Sequence, residues 1–175
     1  MRQINTLQHL FTYGSSCYIF LDVLHQRRYF NCKKMPGRQN MELIRFLTQR
    51  VKDSNSFERL LQKVKIISAG NGKCQAEFKV EPEHQNLGGT LHGGFSATLV
   101  DCISTYALMT YGRNVPGVSV DMHVKYLKAA FEGDDIVVDA QTIKAGKNLA
   151  FLEVTLKNKQ SEDIVVLGSH TKFIG

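Results

Sequence analysis

The sequence predicts an α+β fold, an antiparallel sheet of about six strands wrapped around one long central helix. Three observations carry this. Residues 95–111 form a run that is apolar on most faces, as a buried helix requires. Two strand-like runs precede it and four follow. Asn71-Gly72, Gly133, Gly146 and the polar stretch 158–163 supply the turns between neighbouring runs. Such a helix has only one sheet to bury against, so the sheet must curve around it.

From Met41 the pattern is helical, with Leu43, Ile44, Leu47 and Val51 at three- and four-residue spacing. Residues 56–61 give a second short helical piece. Val64, Ile66 and Ser68 then alternate with Lys65 and Ile67 as a strand would, and Asn71-Gly72 turns the chain into a partner strand over 74–80. A loop over 81–94 feeds the central helix. Strands are expected at 117–127, 135–145, 149–157 and 164–173. A curved sheet leaves an edge or an outer face to be covered, and pairing with a second copy of the chain is a natural way to cover it.

Charge divides the chain. The net charge is +6, yet residues 1–40 hold six basic residues and one acid, while residues 41–175 hold sixteen basic and fifteen acidic residues. The body is therefore nearly neutral, which weakens a nucleic-acid reading to the point of exclusion. The basic, acid-poor segment 1–40 reads as a mitochondrial transit peptide, or as a flexible or wrongly assigned upstream extension with Met41 as initiator. Mitochondrial or cytoplasmic placement follows, and import is expected to remove part or all of residues 1–40. No run approaches the ~18 apolar residues of a membrane-spanning helix. Cys17, Cys32, Cys74 and Cys102 show no C-x-x-C spacing, and no N-x-S/T sequon is present. A reducing compartment is expected. Motifs of zinc proteases, P-loop proteins and α/β-hydrolases are absent.

The chemistry concentrates between Asn86 and Ser119. A helix beginning at Gly93 or Gly94 points unpaired N–H groups at whatever docks there, and could stabilise an oxyanion. A glycine-rich turn that merely packs tightly is the plainer alternative. Asp101 shifts the balance. It is the only charged residue between His92 and Tyr111, in a segment that reads as buried, and a buried carboxylate needs a partner or a task. That task is general base or nucleophile. Asp101 lies eight residues beyond Gly93, about 12 Å along a helix axis. One chain's Asp101 cannot easily reach a carbonyl held at its own Gly93, so two antiparallel helices about a two-fold axis are expected to form a composite site. No Cys or His is spaced to make a metal site with Asp101. His84, His123 and His170 read as surface or strand residues without assigned roles.

Asn86, Gly89-Thr90-Leu91-His92-Gly93-Gly94, Asp101, Gly117-Val118-Ser119-Val120-Asp121 and Gly168-Ser169-His170-Thr171-Lys172 together resemble the hotdog-fold acyl-CoA thioesterases, in particular their small thioesterase superfamily member 2 (acyl-CoA thioesterase 13) type. The resemblance covers residues 41–175 and leaves out 1–40. It implies a hotdog fold and hydrolysis of medium- to long-chain fatty acyl-CoA to free fatty acid and coenzyme A. It also implies Asp101 as base or nucleophile, and the Gly93 N–H as the group polarising the thioester carbonyl. Asn86 would hold the same end of the substrate, and His92 would support the loop and the leaving thiolate. Ser119 would orient the attacking water. The nucleotide would lie on Tyr126, Leu127, Lys128, Ala129, Ala130 and Phe131, and on Lys144, Ala145, Gly146, Lys147, Asn148 and Leu149. Of these segments, the turn 144–148 is favoured, because its glycine exposes backbone donors beside two cations. Each lysine taken singly also reads as a solvated strand edge. The resemblance implies no cofactor, coenzyme A being part of the substrate. A homodimer, a homotetramer as a dimer of dimers, and a lipid-transfer protein are the partners it implies. Two other readings stand beside it: a hotdog enoyl-CoA hydratase or dehydratase, and a non-catalytic acyl-CoA sensor or binding protein.

Overall fold

The structure is a computed structural model and describes residues 41–175; the expected extension and its processing lie outside the described residues. Helix α1 (Met41–Lys52) buries Leu43, Ile44, Leu47 and Val51 on one face, with Glu42 in its first turn and Arg50 and Lys52 in its last, where each charge complements the helix dipole. The short helical piece expected after it is a 3₁₀ turn, Phe57–Leu61. Five residues are too few for an α-helix to repay its nucleation, and i→i+3 bonds close a tighter turn.

Strands β1 (Lys65–Gly70) and β2 (Lys73–Lys79) form the expected hairpin. Asn71 and Gly72 take φ of 51° and 78°, the left-handed pair that a two-residue turn requires. A side chain at Gly72 would also place its Cβ 2.6 Å from the Tyr111 ring. The ladder slips between Ile66 and Ser68, and Ile67 is left on the outer surface.

Helix α2 (Gly93–Leu108) begins at the first glycine of the pair and buries Phe95, Leu99, Val100, Ile103 and Ala107. The remaining strands are β3 (Val118–Tyr126), β4 (Asp135–Ala145), β5 (Leu149–Asn158) and β6 (Ile164–Phe173). All six make one sheet in the order β1-β2-β4-β5-β6-β3, each neighbouring pair antiparallel. The inward residues of β2, β4, β5 and β6 pack on α2. Gly168 permits the closest approach, since a Cβ there would stand 2.6 Å from the Val100 side chain.

The two sheet edges differ. Helix α1 packs against β1, whereas β3 is exposed along nearly its whole length, with Val120 60% accessible. Cys74 and Cys102 are free, and burial pushes both thiols up to about 12. Among the described residues, no helix is long and apolar enough to cross a membrane.

Candidate active site

The loop entering α2 is held by its own side chains. Asn86 Oδ1 accepts from the Gly88 N–H at 2.8 Å and the Thr90 N–H at 3.3 Å, while its amide donates to Thr90 Oγ1 at 2.9 Å. A primary amide carries two N–H groups, so one remains for a ligand. His84, expected as a surface or strand residue, is instead buried in a 3₁₀ turn, Pro82–His84: it stacks on Phe95 at 4.6 Å between centroids, and its Nδ1 accepts from the Glu81 N–H at 3.0 Å. The His84 carbonyl in turn accepts the His92 N–H at 2.8 Å.

His92 is the N-cap of α2. Its Nδ1 accepts from the Gly94 N–H at 2.9 Å, which leaves the ring proton of the neutral imidazole on Nε2. The Gly93 N–H donates to none of the described residues. It therefore points an unspent donor and the positive end of the helix dipole outward. The Tyr126 hydroxyl donates to the Gly93 carbonyl at 3.1 Å. Beside this terminus lies a cleft of about 360 Å³ lined by Asn86, Gly93, Ser96 and residues 126–130. Phe131 lies outside that lining, and its N–H donates to Asp134 at 2.8 Å. Lys128 lines the cleft but is paired with Asp163, whose carboxyl that cation holds below its ordinary range.

Two turns along α2, Asp101 is not buried. Its side chain is 46% exposed, because this face of the helix leans over the uncovered β3 edge. The expectation of a buried carboxylate is thus corrected for the single chain. Ser119 Oγ donates to Asp101 Oδ1 at 3.3 Å, and His170 Nε2 lies 2.9 Å from Ser119 Oγ. His170 Nδ1 lies 2.8 Å from Ser104 Oγ. With its proton on Nε2, a neutral imidazole donates to Ser119 and leaves the Ser119 hydroxyl free to donate to Asp101. The single Ser104 proton is shared between His170 Nδ1 and the Asp101 backbone carbonyl 3.0 Å away. His170 is buried, which pushes its pKa down to about 4; the nearby Lys172 cation adds to the shift, and Asp101 opposes it. Lys172 is buried as well and approaches Asp101 Oδ1 at 3.7 Å. His170 therefore belongs to the Asp101 cluster and is not an idle strand residue.

The 144–149 turn contradicts one expectation. The Gly146 N–H is spent on the Leu149 carbonyl at 2.8 Å, so that glycine exposes no free donor. Lys144 and Lys147 are exposed, and Arg113 fixes the turn by donating to the Lys147 carbonyl at 2.6 Å.

The ladder sorts these pieces into two groups. Leu149 and Val118 both pair with Phe173, and Ser119 pairs with Lys172, so the turn and the Asp101 cluster share one end of the sheet. Tyr126 pairs with Val166, seven residues along β3 from Ser119, or about 24 Å at the rise of a strand. Gly93, Asn86 and residues 126–130 gather at this second end. Among the described residues, no group of three or more His, Cys, Asp or Glu side chains converges as metal ligands would.

A model of the thioesterase superfamily matches residues 88–165, which span the cleft loop, α2 and β3 to β5. Human acyl-coenzyme A thioesterase 13 is 48% identical over 134 residues, covering 77% of this chain and 93% of the relative. The chain belongs to the thioesterase superfamily. The crystal structure of zebra fish thioesterase superfamily member 2 matches with a TM-score of 0.73 and 48% identity, covering 75% of this chain and 98% of that one. A hypothetical thioesterase protein with coenzyme A from Streptococcus pneumoniae TIGR4 matches at 26% identity and a TM-score of 0.60, covering 64% of this chain and 85% of its own. The six-stranded antiparallel sheet around one long helix is accordingly the hotdog fold of thioesterases.

Within this thioesterase fold, sequence reasoning missed Ser104, Thr105, His170 and Lys172 as neighbours of the acid. A signal was present. Strand parity puts Val166, Gly168, His170 and Lys172 on one face of β6, and the apolar members at the start of that series mark the face as inward.

Proposed function

We propose that the protein hydrolyses medium- to long-chain fatty acyl-CoA thioesters to free fatty acid and coenzyme A in a site assembled by two copies of the chain. The observation that carries this reading is the division of α2. An unspent N–H at Gly93 and an accessible carboxylate at Asp101 stand two turns apart, about 12 Å along the axis, too far for one thioester to meet both. Strand β3 supports the assembly, being an exposed edge centred on Met122. Antiparallel pairing of two such edges about a two-fold axis would set Tyr126 of one copy opposite Val118 of the other. The Gly93 end of one copy would then meet the Asp101 end of its partner.

In each composite site the Gly93 N–H receives the thioester oxygen, with the remaining Asn86 amide hydrogen beside it. The partner's Asp101 either takes a proton from water as that water attacks, or attacks the carbonyl itself to give an anhydride that water opens. Charge that develops on the oxygen is met by the helix terminus. The C–S bond breaks and its electron pair departs with coenzyme A as thiolate. Leu91, Val165 and Val166 give the cleft an apolar wall suited to an alkyl chain, beside the 126–130 segment that would carry the nucleotide. Leu149, Phe151 and Phe173 are exposed side by side on the outer sheet face, which supports pairing of dimers into a tetramer. The basic composition of residues 1–40 supports mitochondrial delivery; a mature mitochondrial protein that begins at Met1 would count against it.

Subunit complementation tests the core of the reading. Asp101→Asn removes the carboxylate, and Gly93→Pro removes the N–H at a helix position that proline tolerates. Each variant alone should lose thiol release from acyl-CoA while keeping its oligomeric state. Co-expressed, they should form mixed dimers with one intact site, recovering about a quarter of wild-type specific activity. Recovery of nothing, from mixed dimers proven by mass, would place both groups in one chain's site.

A further inference from the structure

Lys172 is the one buried lysine among the described residues, with a side chain 4% exposed. A desolvated ammonium is costly, and apolar side chains of similar volume generally serve packing as well or better. Its surroundings explain where the charge is directed. Lys172 Nζ donates to Thr105 Oγ1 at 2.6 Å, and Thr105 Oγ1 donates to the Asp101 backbone carbonyl at 2.7 Å. The ammonium is thereby tied to the same helical turn that carries Asp101. Among the described residues, the one carboxylate paired with it is Asp101, whose Oδ1 lies 3.7 Å away. Ser119, His170 and Lys172 all address that same oxygen, and no described residue donates to Oδ2. The strand ladder fixes the arrangement, since Lys172 pairs directly with Ser119 across β6 and β3.

We propose that Lys172 is a positioning residue for the acid: clamped by Thr105, its ammonium draws Oδ1 of Asp101 inward and leaves Oδ2 as the oxygen that faces the reaction. The inference rests on the assignment of Asp101 to chemistry made above. It concerns how that carboxylate is aimed, and Lys172 itself touches no substrate. Burial also lowers the Lys172 pKa below the ordinary lysine range, which agrees with an ammonium held in place for its charge against a real desolvation penalty.

The test is steady-state thiol release from an acyl-CoA by the full chain. Lys172→Met keeps the volume and removes the charge. It should fold with a melting temperature at or above wild type, lower kcat by about 10- to 100-fold, and leave KM within about two-fold. Thr105→Val frees the ammonium and should lower kcat in the same direction by less, while Thr105→Ser keeps the hydroxyl and should restore it. This second pair carries the test should Lys172→Met fail to fold. Wild-type kcat in Lys172→Met, a loss confined to KM, or equal impairment by Thr105→Ser and Thr105→Val would overturn the proposal. Asp101→Asn separates this failure from a deeper one. If Asp101→Asn is inactive and Lys172→Met is not impaired, only the positioning role falls; if Asp101→Asn turns over normally, the assignment of Asp101 falls with it. In the Asp101→Asn background, Lys172→Met should cost nothing further, because two residues that act as a unit are not additive.

Discussion

The Gly93 end of α2 and its Asp101 position, which the proposed function brings together, are built by opposite means. At Gly93 the group we propose for the chemistry is a backbone N–H, aimed by the helix itself and by a loop whose polar atoms satisfy one another. At Asp101 the proposed group is a side chain, and Ser119 from β3 and His170 and Lys172 from β6 all approach its Oδ1. A backbone donor costs little reorganisation and survives most side-chain changes nearby. A carboxylate held by buried polar groups depends on residues that never meet the substrate.

The largest expected effects test the comparison directly. Asp101→Asn should lower kcat by about 10³-fold, within the range of lost general-base catalysis. Gly93→Pro should lower it by about 10²- to 10³-fold, the range for one missing oxyanion donor. Replacing neighbours of Gly93 that keep the backbone in place should cost far less. Thr98→Ala is such a control, since its hydroxyl only returns to the Gly94 carbonyl at 2.9 Å. In thiol-release kinetics on the three variants, Thr98→Ala as damaging as Gly93→Pro would mean that the Gly93 end depends on side chains as much as the Asp101 end does.

A smaller effect separates the ends by pH. His170 ordinarily would titrate near 6.5, but burial first and the Lys172 cation second bring it down to about 4 in the native state. Between those values the unfolded chain binds the proton more readily than the folded one. The stability linked to His170 is therefore complete above pH 6.5 and is lost as pH falls toward about 4. Urea midpoints measured across this window should decline in the wild type and decline less steeply in His170→Asn. Parallel slopes for the two proteins would mean that the imidazole is no more reluctant to charge in the fold than out of it.

The sequence made the periodic parts of this molecule legible. Alternation over 74–80 and 164–173, the Asn71-Gly72 turn and the all-round apolar helix each depend on local chemistry, and the structure realises them within a few residues. What depends on pairing was not legible. The ladder slips near Ile67, Val120 and Ile143 arise from the register of a neighbouring strand, which composition does not encode. Asp101 stands out in the sequence for a reason the structure alters: its isolation among apolar residues marks it, yet the side chain stands half exposed at an uncovered edge. His170 and Lys172 escaped because polar residues on a strand read as outward unless the parity of their apolar neighbours is applied to them. The proposed composite site rests on spacing alone, because eight helical residues separate Gly93 from Asp101 whatever surrounds them.

The smallest expected effect concerns the cap at the backbone end. His92 Nδ1 accepts the Gly94 N–H, so His92→Ala leaves one first-turn donor without its partner while the Gly93 N–H stays where it was. Loss of an N-cap typically costs about 1 kcal/mol, and His92→Asn, whose amide oxygen can accept the same bond, should recover most of it. Chemical denaturation would read that pair of changes. In kinetics a modest outcome is expected: His92→Ala should lower kcat by less than about ten-fold, since the donor proposed to meet the thioester belongs to the backbone. A loss as large as that of Gly93→Pro, restored by neither Asn nor added stability, would show that His92 acts on the departing thiolate through its Nε2–H. The backbone end would then depend on a side chain after all, and the contrast between the two ends of α2 would narrow to one of burial.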